Sequence, residues 1–408
     1  MNYRRLITLA FVLACSAASS PRPVVPALQK VTHPVPVMIP FELVNRHILI
    51  KVRVNNSAPL SFILDTGDKF AIVNLARAKV LGLNLQGEIN VGGAGAGTLK
   101  GSFVRDASLT VLGLEGQTEP VVLTIPLDNL EPKLGHNADG IIGSDFIKKF
   151  VVEIDYPSRV LMLFDKDTFA YSGSGESIPM RLNSSGHAII PAEVAVQGHA
   201  AIKGNFIVDI GSGGSLVLHS PIVETEHLPL PTQKTIRSLG GAGAGGIVTG
   251  RVGRVDALTI GKFRVDNPVT LFSTDKAGAF ASAELKGNIG QRILSKFTIF
   301  LDYAHSRIIL APNASFKNLI GQAVSGLGLV GEGADYKTFR VDELLEDSPA
   351  AESGLQKGDI ILAVDGRRAA ELTLTELNEM FEQPVAHGLS VRRGEQTLQV
   401  TLTPRKLI

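Results

Sequence analysis

The sequence predicts a mostly β protein in which two similar lobes are followed by a smaller α+β domain. Short alternating runs rich in Val, Ile and Leu, separated by Gly, Asn and Pro, extend from about residue 35 to Pro312 and are typical of β domains. Several segments of this region occur twice, and the pattern changes beyond Pro312. With 408 residues, 44% of them hydrophobic and 19% charged, the chain is long enough for two or three globular domains.

The two lobes are predicted from an internal repeat that is centred on one aspartate in each copy. Residues 62–68 are repeated at 206–212, so that Asp65 corresponds to Asp209, 144 positions later. The repeat continues in two further pairs of segments, 90–97 with 238–245 and 142–150 with 289–297. A repeat unit of roughly 140 residues has the size of a domain and not of a solenoid repeat. Each lobe should therefore supply one carboxylate.

The elements of lobe 1 follow from its hydrophobic pattern. We predict strands at residues 48–54, 60–64, 107–112, 120–125 and 151–164. A short helix is expected over residues 74–81, closed by Gly82. The second copy runs from about residue 178 to Pro312 with the same order of elements. The predicted divisions of the chain are a signal peptide at 1–20, a flexible linker at 21–34, lobe 1 at 35–166, lobe 2 at 175–313 and the C-terminal domain at 318–405.

The N-terminus has the features of a secretory signal peptide. Arg4 and Arg5 precede an apolar run over residues 6–14, which is too short to span a bilayer, and small residues follow it. Cys15, the single cysteine, ends an imperfect bacterial lipoprotein processing site, so that lipidation of Cys15 and ordinary cleavage near Ala18 both remain open. Both outcomes predict a periplasmic protein without disulfides, attached to the membrane only if Cys15 is lipidated.

Charge and composition argue against several other classes of protein. The net charge of +1, the absence of a basic block and the 6% aromatic content give no indication of nucleic-acid binding. Residues 241–246 formally satisfy a dinucleotide fingerprint, but β-like runs flank them, which favours a hairpin tip over a nucleotide site. The nine histidines are scattered, and His187 and His199 are too far apart for a ligand pair. We expect no metal and no cofactor. Asp155 and Asp302, each before a tyrosine, are interpreted as turn caps.

The chemistry of the chain is expected at Asp65 and Asp209. A carboxylate at the point where a strand opens into a glycine turn can be held by backbone amides while its oxygens face a cleft. Two such groups within hydrogen-bond distance tend to share one proton, because both cannot comfortably ionise. Such a pair can take a proton from a water while it gives one to a carbonyl oxygen, and can so hydrolyse an amide without a covalent intermediate.

The repeated segments resemble the aspartic peptidases. Asp65-Thr66-Gly67 is similar to their catalytic motif, and residues 139–143 are similar to the segment that braces the active-site loop from beneath; residues 209–212 and 287–290 are weaker forms of the same motifs. Each lobe also has a glycine-rich segment where retroviral enzymes of this family have a hairpin, the flap, that covers the substrate. The resemblance therefore implies two retropepsin-like β-barrel lobes in a pseudo-twofold, bilobal acid-protease fold.

The resemblance assigns roles to particular residues. The catalytic pair is Asp65 and Asp209, and the supporting loop residues are Thr66, Gly67, Gly211 and Ser212. The flap residues are Gly93, Ala94, Gly95, Gly241, Ala242 and Gly243.

Two residues depart from the pattern of the family. Ile210 replaces a threonine whose hydroxyl helps to join the two active-site loops, so one half of that brace is missing. Asp68 stands where a small or hydroxyl residue is usual. A third acid that faces the cleft should make ionisation of the pair harder and raise its pKa values.

The C-terminal region resembles a PDZ domain. Residues 348–366 are similar to the turn, short helix and strand at the centre of that fold, and the resemblance covers about residues 318–404. Gly326, Leu327, Gly328 and Leu329 match the loop whose backbone amides receive a peptide's C-terminal carboxylate. Residues 373–381 would form the helix that lines the groove.

Two functions are consistent with these features. The first is an aspartic endopeptidase that activates a water between Asp65 and Asp209, binds a peptide or protein substrate in its cleft, and recruits substrates or partners by their C-termini through the PDZ groove. The second is a catalytically weak or inactive peptide-binding adaptor with the same fold.

Overall fold

The structure is a computed structural model that describes residues 36–238, 241–321 and 323–408. The predicted signal peptide with Cys15 and the predicted linker lie outside these ranges. Within them the prediction of a mostly β chain followed by an α+β C-terminal domain is confirmed. None of the helices in the described ranges is both long enough and apolar enough to cross a membrane.

Lobe 1 consists of short strands with three short helices. Its strands are β1 Val37–Pro40, β2 Glu42–Val44, β3 His47–Val54, β4 Leu60–Leu64, β5 Ile72–Asn74, β6 Asn84–Gly92, β7 Thr98–Arg105, β8 Ser108–Val111, β9 Glu119–Pro120, β10 Leu123–Ile125, β11 Gly140–Ile142, β12 Phe150–Asp155 and β13 Val160–Asp165. Its helices are α1 Leu75–Val80, α2 Glu131–Leu134 and α3 Ser144–Ile147.

The helix predicted at 74–81 is confirmed as α1. The Asn74 side chain caps its start by accepting the N–H of Ala76, and Gly82 follows its end with a positive φ of 65°.

Lobe 2 repeats the order of strands in lobe 1. Its strands are β14 Glu176–Pro179, β15 Arg181–Leu182, β16 Ala188–Ala195, β17 Ile202–Val208, β18 Leu216–Leu218, β19 Ile236–Arg237, β20 Ala242–Gly243, β21 Gly246–Ile247, β22 Gly250–Arg254, β23 Ala257–Ile260, β24 Phe263–Asp266, β25 Val269–Ser273, β26 Gly287–Ile289, β27 Phe297–Asp302 and β28 Arg307–Pro312. Its helices are α4 Ser220–Thr225 and α5 Gln291–Leu294, with a 3₁₀ turn at Ala279–Ala281.

The main sheets of the two lobes have the same topology. The order is β6-β7-β10-β5-β11-β4-β3-β8-β9 in lobe 1 and β19-β22-β25-β18-β26-β17-β16-β23-β24 in lobe 2. Every strand of one sheet therefore has an equivalent in the other, including the central parallel pairs β4 with β11 and β17 with β26. The internal repeat of the sequence is thus a repeat of the fold.

A third sheet joins the two lobes. It has the order β1-β13-β12-β27-β28-β14, and its central pair is antiparallel, with Glu153 opposite Phe300. One hydrophobic core extends through both lobes and includes the fully buried Phe62 of lobe 1 and Phe206 of lobe 2.

The C-terminal domain has its own sheet and its own hydrophobic core. Its strands are β29 Leu327–Glu332, β30 Thr338–Leu344, β31 Ile360–Val364, β32 Arg367–Arg368, β33 His387–Arg393 and β34 Gln396–Leu402; its helices are α6 Pro349–Glu352 and α7 Leu374–Met380, with a 3₁₀ turn at Ala369–Glu371. The sheet order is β29-β30-β31-β33-β34, which leaves β29 at an edge. The helix predicted at 373–381 is confirmed as α7, which a capping box between Thr373 and Glu376 begins.

Two strand predictions were wrong in detail. The run at 151–164 is a hairpin of β12 and β13 and not one strand, because residues 156–159 form a turn in which Arg159 has a φ of 54°. The run at 120–125 is broken into β9, which pairs with β8, and β10, which pairs with β5 and β7. Pro120 has no N–H to donate, which is consistent with its place at the edge of the sheet.

Candidate active site

Asp65 and Asp209 occupy equivalent positions in the two lobes. Asp65 directly follows β4, and Asp209 directly follows β17. The N–H of Asp65 donates to the Ile142 carbonyl at 3.0 Å, and the N–H of Asp209 donates to the Ile289 carbonyl at 3.0 Å. The backbone of each aspartate is therefore held by the strand, β11 or β26, that runs parallel to the strand before it.

The two carboxylates meet between the lobes. A methyl group added to Gly67 would lie 3.0 Å from Asp65 Oδ1 and 3.2 Å from Asp209 Oδ1, so one small space touches both carboxylates. A methyl group added to Gly211 would lie 2.1 Å from Asp65 Oδ2. Any side chain at Gly211 would displace Asp65, which explains why glycine is needed there.

One threonine braces the two loops. The Thr66 hydroxyl donates to the Val208 carbonyl at 2.6 Å and accepts the N–H of Ile210 at 3.0 Å. Both Thr66 and Ile210 are fully buried. The Ile210 side chain has no hydroxyl with which to return these bonds, so the brace is made from lobe 1 alone. Lobe 2 adds a bond of its own, in which the Gln291 amide donates to the Ile210 carbonyl at 2.8 Å.

The carboxyl groups have shifted pKa values. Burial raises the pKa of Asp65 well above its usual value, and the charges of Asp209 and Asp68 raise it further. Burial also raises the pKa of Asp209, but a hydrogen bond from Asn288 and the charge of His187 act in the opposite direction. Burial and then the charge of Asp209 raise the pKa of Asp68 to about 6. Asp68 thus acts on the pair as a third acid, and the pair is set to share a proton.

Asn288 and His219 form a hydrogen-bonded chain behind Asp209. The Asn288 amide Nδ2 donates to Asp209 Oδ2 at 2.8 Å, and His219 Nε2 is 2.8 Å from Asn288 Oδ1. Both residues are buried. Asn288 lies in the predicted bracing segment 287–290, but neither Asn288 nor His219 was assigned a role of its own from the sequence. The mismatch between Asn288 and its counterpart Ile141 was visible in the repeat and could have indicated a polar contact.

A second pair of residues that the sequence analysis missed is His47 and His187. They lie at equivalent positions, because His47 is two residues before Leu49 of β3 and His187 is two residues before Ile189 of β16. Leu49 pairs with Ile63 in lobe 1, and Ile189 pairs with Ile207 in lobe 2. A methyl group added to Gly213 would lie 2.9 Å from His47 Cε1, so the His47 ring packs on the active-site loop of lobe 2. Burial lowers the pKa of His47.

The two segments predicted to be flaps meet at their tips. The predicted residues Gly93, Ala94 and Gly95 lie in the turn between β6 and β7, and Gly241, Ala242 and Gly243 lie at the start of the β20–β21 hairpin. The N–H of Gly97 donates to the Gly245 carbonyl at 2.7 Å, and the N–H of Gly245 donates to the Ala94 carbonyl at 2.7 Å. A methyl group added to Gly245 would lie 2.3 Å from the Gly95 carbonyl oxygen. Close backbone contact therefore requires glycine at this point.

Two sequence families match the regions just described. Residues 50–146, which hold Asp65 and the strands that support it, match the family described as aspartyl protease. Residues 317–391 match the PDZ domain. The chain joins an aspartyl-protease-like region to a PDZ domain.

Other comparisons are more distant. Over 65 residues the chain is 31% identical to serine protease HTRA1 of Xenopus laevis, a segment that is 16% of this chain and 14% of that protein. The fold of the present chain is similar to that of an aspartic proteinase from Irpex lacteus, with a TM-score of 0.45 and 14% sequence identity. The match covers 70% of this chain and 100% of the Irpex protein. The comparison with Basic 7S globulin from soybean gives a TM-score of 0.40 and 12% sequence identity, and it covers 70% of this chain and 98% of the globulin.

The carboxylate-binding loop expected in the PDZ domain lies at the start of β29. Gly326 has a φ of 84°, and Leu327, Gly328 and Leu329 are the first residues of the strand. The N–H of Leu327 donates to Ser325 Oγ at 3.2 Å.

Lobe 1 enters the space between β29 and α7 of the PDZ domain. A methyl group added to Gly135, at the end of α2, would lie 2.6 Å from Leu374 Cβ of α7. A methyl group added to Gly331 of β29 would lie 3.3 Å from the Gly135 Cα. Gly135 thus touches both elements that would line a peptide groove. Nearby, the Tyr336 hydroxyl donates to Glu131 Oε2 at 2.9 Å.

The PDZ domain is tied to both lobes by one carboxylate. Glu382 accepts Arg46 Nη2 of lobe 1 at 2.6 Å and Arg292 Nη1 of lobe 2 at 3.0 Å. Asn45, next to Arg46, also contacts the PDZ domain, because its N–H donates to Thr375 Oγ1 at 2.7 Å. The Asn45 carbonyl lies 2.9 Å from His47 Nδ1. The turn between β2 and β3, called the Asn45 turn below, thus contacts both α7 and the His47 ring.

Proposed function

We propose that the chain is an aspartic endopeptidase, in which Asp65 and Asp209 activate a water against a peptide carbonyl. The observation that carries this proposal is the meeting of two carboxylates from equivalent loops at one small space beside Gly67. Their burial and mutual repulsion favour a pair that holds one proton, which is the state this chemistry needs.

In the proposed reaction the water attacks the carbonyl carbon directly. The ionised carboxylate takes a proton from the water, and the protonated carboxyl gives its proton to the carbonyl oxygen, which produces a gem-diol. The diol then collapses: the C–N bond breaks, the carboxylate that had given up its proton takes one from a diol hydroxyl, and the proton that the other carboxyl took from the water passes to the leaving nitrogen, so the pair again holds one proton. The flaps would close over an extended substrate and exclude bulk water.

The PDZ domain is proposed to recruit a substrate or partner by its C-terminus, through strand addition at the edge strand β29. Because Gly135 contacts both β29 and α7, a peptide in this groove would have to displace it. We propose that the protein acts in the periplasm after secretion, as its N-terminal residues suggest.

The test is cleavage of a denatured protein substrate between pH 3 and 8. Asp65→Asn and Asp209→Asn should each lower kcat/KM at least about a thousandfold, because the two carboxylates act as a unit. The control is Asp106→Asn, an exposed residue in a turn with a φ of 56° that asparagine tolerates.

Activity that survives in both active-site variants would overturn the proposal. So would a pure, folded wild-type protein that cleaves nothing across this pH range. If that protein still bound unfolded peptides, measured by fluorescence anisotropy, the adaptor function would take its place.

A further inference from the structure

We propose that Asn288 and His219 decide which aspartate is the base: Asn288 keeps Asp209 ionised, and Asp65 carries the shared proton. Asp209 then takes the proton from water and Asp65 protonates the substrate carbonyl. This inference rests on the proposed peptidase function and assigns separate roles within its catalytic pair.

The first support is a difference between two equivalent positions. Ile141 of β11 pairs with Ile63, and Asn288 of β26 pairs with Ile207, so the two residues have the same register beside the two catalytic strands. Ile141 is 6% exposed and Asn288 is 5% exposed. A buried amide is costly unless it is hydrogen-bonded, so an asparagine here needs a partner that an isoleucine does not.

Asn288 finds that partner in Asp209. Its Nδ2 donates to Asp209 Oδ2 at 2.8 Å. A hydrogen bond donated to a carboxylate stabilises the ionised form. The equivalent side chain beside Asp65 is the isoleucine at 141, which can donate nothing.

His219 fixes the direction in which the amide points. His219 is fully buried, and its Nε2 lies 2.8 Å from Asn288 Oδ1, while its Nδ1 lies at 3.3 Å from the Ser282 carbonyl. Because Oδ1 can only accept, the shorter contact places the ring proton on Nε2. With Oδ1 held by the histidine, Nδ2 must face Asp209. His219 therefore acts through Asn288 and is a positioning residue.

Lobe 1 has no such chain. The residue equivalent to His219 is Asn74, which precedes α1 as His219 precedes α4. The Asn74 amide turns away from the pair: it donates to the Ala138 carbonyl at 3.2 Å. The relay from a buried histidine through an amide to a catalytic carboxylate thus exists in lobe 2 alone, among the residues that the structure describes.

The charged groups around Asp209 are consistent with this assignment. Asp65 and Asp68 face it from lobe 1, and His187 faces it from lobe 2. The carboxylates disfavour its ionisation, and a charge on His187 favours it. Asp65 accepts the Gly67 N–H at 2.6 Å but has Ile141 where Asp209 has Asn288, and the charges of Asp209 and Asp68 both disfavour its ionisation. The proton of the pair is therefore expected on Asp65.

The test compares three variants of the full chain. Asn288→Ile installs the lobe 1 residue; His219→Phe keeps a ring but removes the donor; His219→Gln keeps an N–H donor in reach of Asn288. The first readout is carboxyl titration by ¹³C NMR with labelled aspartate, in which Asp65→Asn and Asp209→Asn assign the signals. The second is the pH dependence of kcat and KM.

We expect Asn288→Ile to raise the apparent pKa of Asp209 by about one unit and to move the acidic limb of kcat by the same amount, with KM changed little. His219→Phe should shift both readouts in the same direction by less, and His219→Gln should titrate as the wild type does. A purely structural role would lower kcat at every pH and leave the titration in place.

Two outcomes overturn the inference: unchanged carboxyl titration in both Asn288→Ile and His219→Phe, or equal shifts in His219→Phe and His219→Gln. Should Asn288→Ile fail to fold, the two His219 variants decide. The NMR readout needs no catalysis. If the wild-type protein cleaves nothing but the variants show the expected shifts in carboxyl titration relative to it, the peptidase function is refuted and the assignment of Asp209 as the ionised carboxylate is supported.

Discussion

The loop at Asp65 and the loop at Asp209 have the same backbone frame but different side chains around the carboxylate. Both aspartates follow equivalent strands and donate to equivalent carbonyls at 3.0 Å. The differences are Thr66 against Ile210, Asp68 against Ser212, Ile141 against Asn288 and Asn74 against His219. Lobe 1 supplies the hydroxyl brace and the extra acid, and lobe 2 supplies the amide that stabilises the charge.

This comparison separates two kinds of requirement. The meeting of two carboxylates depends on strand order and on Gly67 and Gly211, and here the lobes agree. The distribution of one proton over two carboxyls depends on neighbouring donors and charges, and here the lobes differ. A duplicated fold can therefore keep its geometry while its two halves acquire different chemical roles.

The largest expected effect concerns the one-sided brace. Thr66→Val keeps the shape of the side chain but leaves the Val208 carbonyl and the Ile210 N–H without their partner in a buried site. We expect the free energy of unfolding in urea to fall by about 3 kcal/mol. Ile210→Thr, the matched change in lobe 2, supplies a second hydroxyl and should lower the free energy of unfolding by less than Thr66→Val does. Equal losses in the two variants would show that the brace is not specific to lobe 1.

The next effect concerns the acid that lobe 2 lacks. The Asp68 carboxyl, with a usual pKa of 3.8, ionises near pH 6 in the folded chain. The folded state therefore binds more protons than the unfolded state between these values, and stability is lost as the pH rises from about 4 to about 6. Asp68→Asn should be about 3 kcal/mol more stable than the wild type at pH 7, and this gain should vanish below about pH 4.

Urea unfolding at several pH values measures the Asp68 effect. Glu88→Gln, which removes an exposed negative charge in β6, is the control and should change stability little. A gain for Asp68→Asn that is the same at pH 4 and pH 7 would contradict the electrostatic explanation.

The smallest effect concerns the predicted flaps, which meet at glycines from both lobes. Gly245→Ala places a methyl group 2.3 Å from the Gly95 carbonyl oxygen and should hold the tips apart. We expect kcat/KM to fall about tenfold with unfolding unchanged. Gly92→Ala adds a methyl group that meets nothing within 4 Å and is the matched control. Steady-state kinetics in which both variants behave alike would rule out a role for tip contact.

Much of the fold and the centre of the site could be predicted from the sequence. The repeat located two lobes, and the position of Asp65 and Asp209 at the ends of apolar runs followed from it. The polar neighbours were harder to find, because Asn288 and His219 are single substitutions in otherwise similar segments. His47 and His187 precede similar apolar runs, yet only their positions in the fold show that they lie beside the active-site loops.

Long-range pairing could not be predicted. Nothing local in β1 or β14 indicates that these strands complete the sheet between the lobes, because an edge strand carries no signal for its partner. The same holds for Glu382, whose partners Arg46 and Arg292 are far away in sequence. The turn at 156–159 was a different kind of error, since Pro157 is a local signal that argued against one continuous strand.

The Asn45 turn lies in a short chain of contacts between the PDZ domain and the candidate active site. Its N–H is bonded to Thr375 of α7, its carbonyl lies next to His47, and the His47 ring packs on Gly213 in the loop after Asp209. Three successive contacts thus connect the helix expected to line a peptide groove with the loop that carries one of the two carboxylates. The helix expected to line the peptide groove and the loop after Asp209 are therefore joined through the turn between β2 and β3.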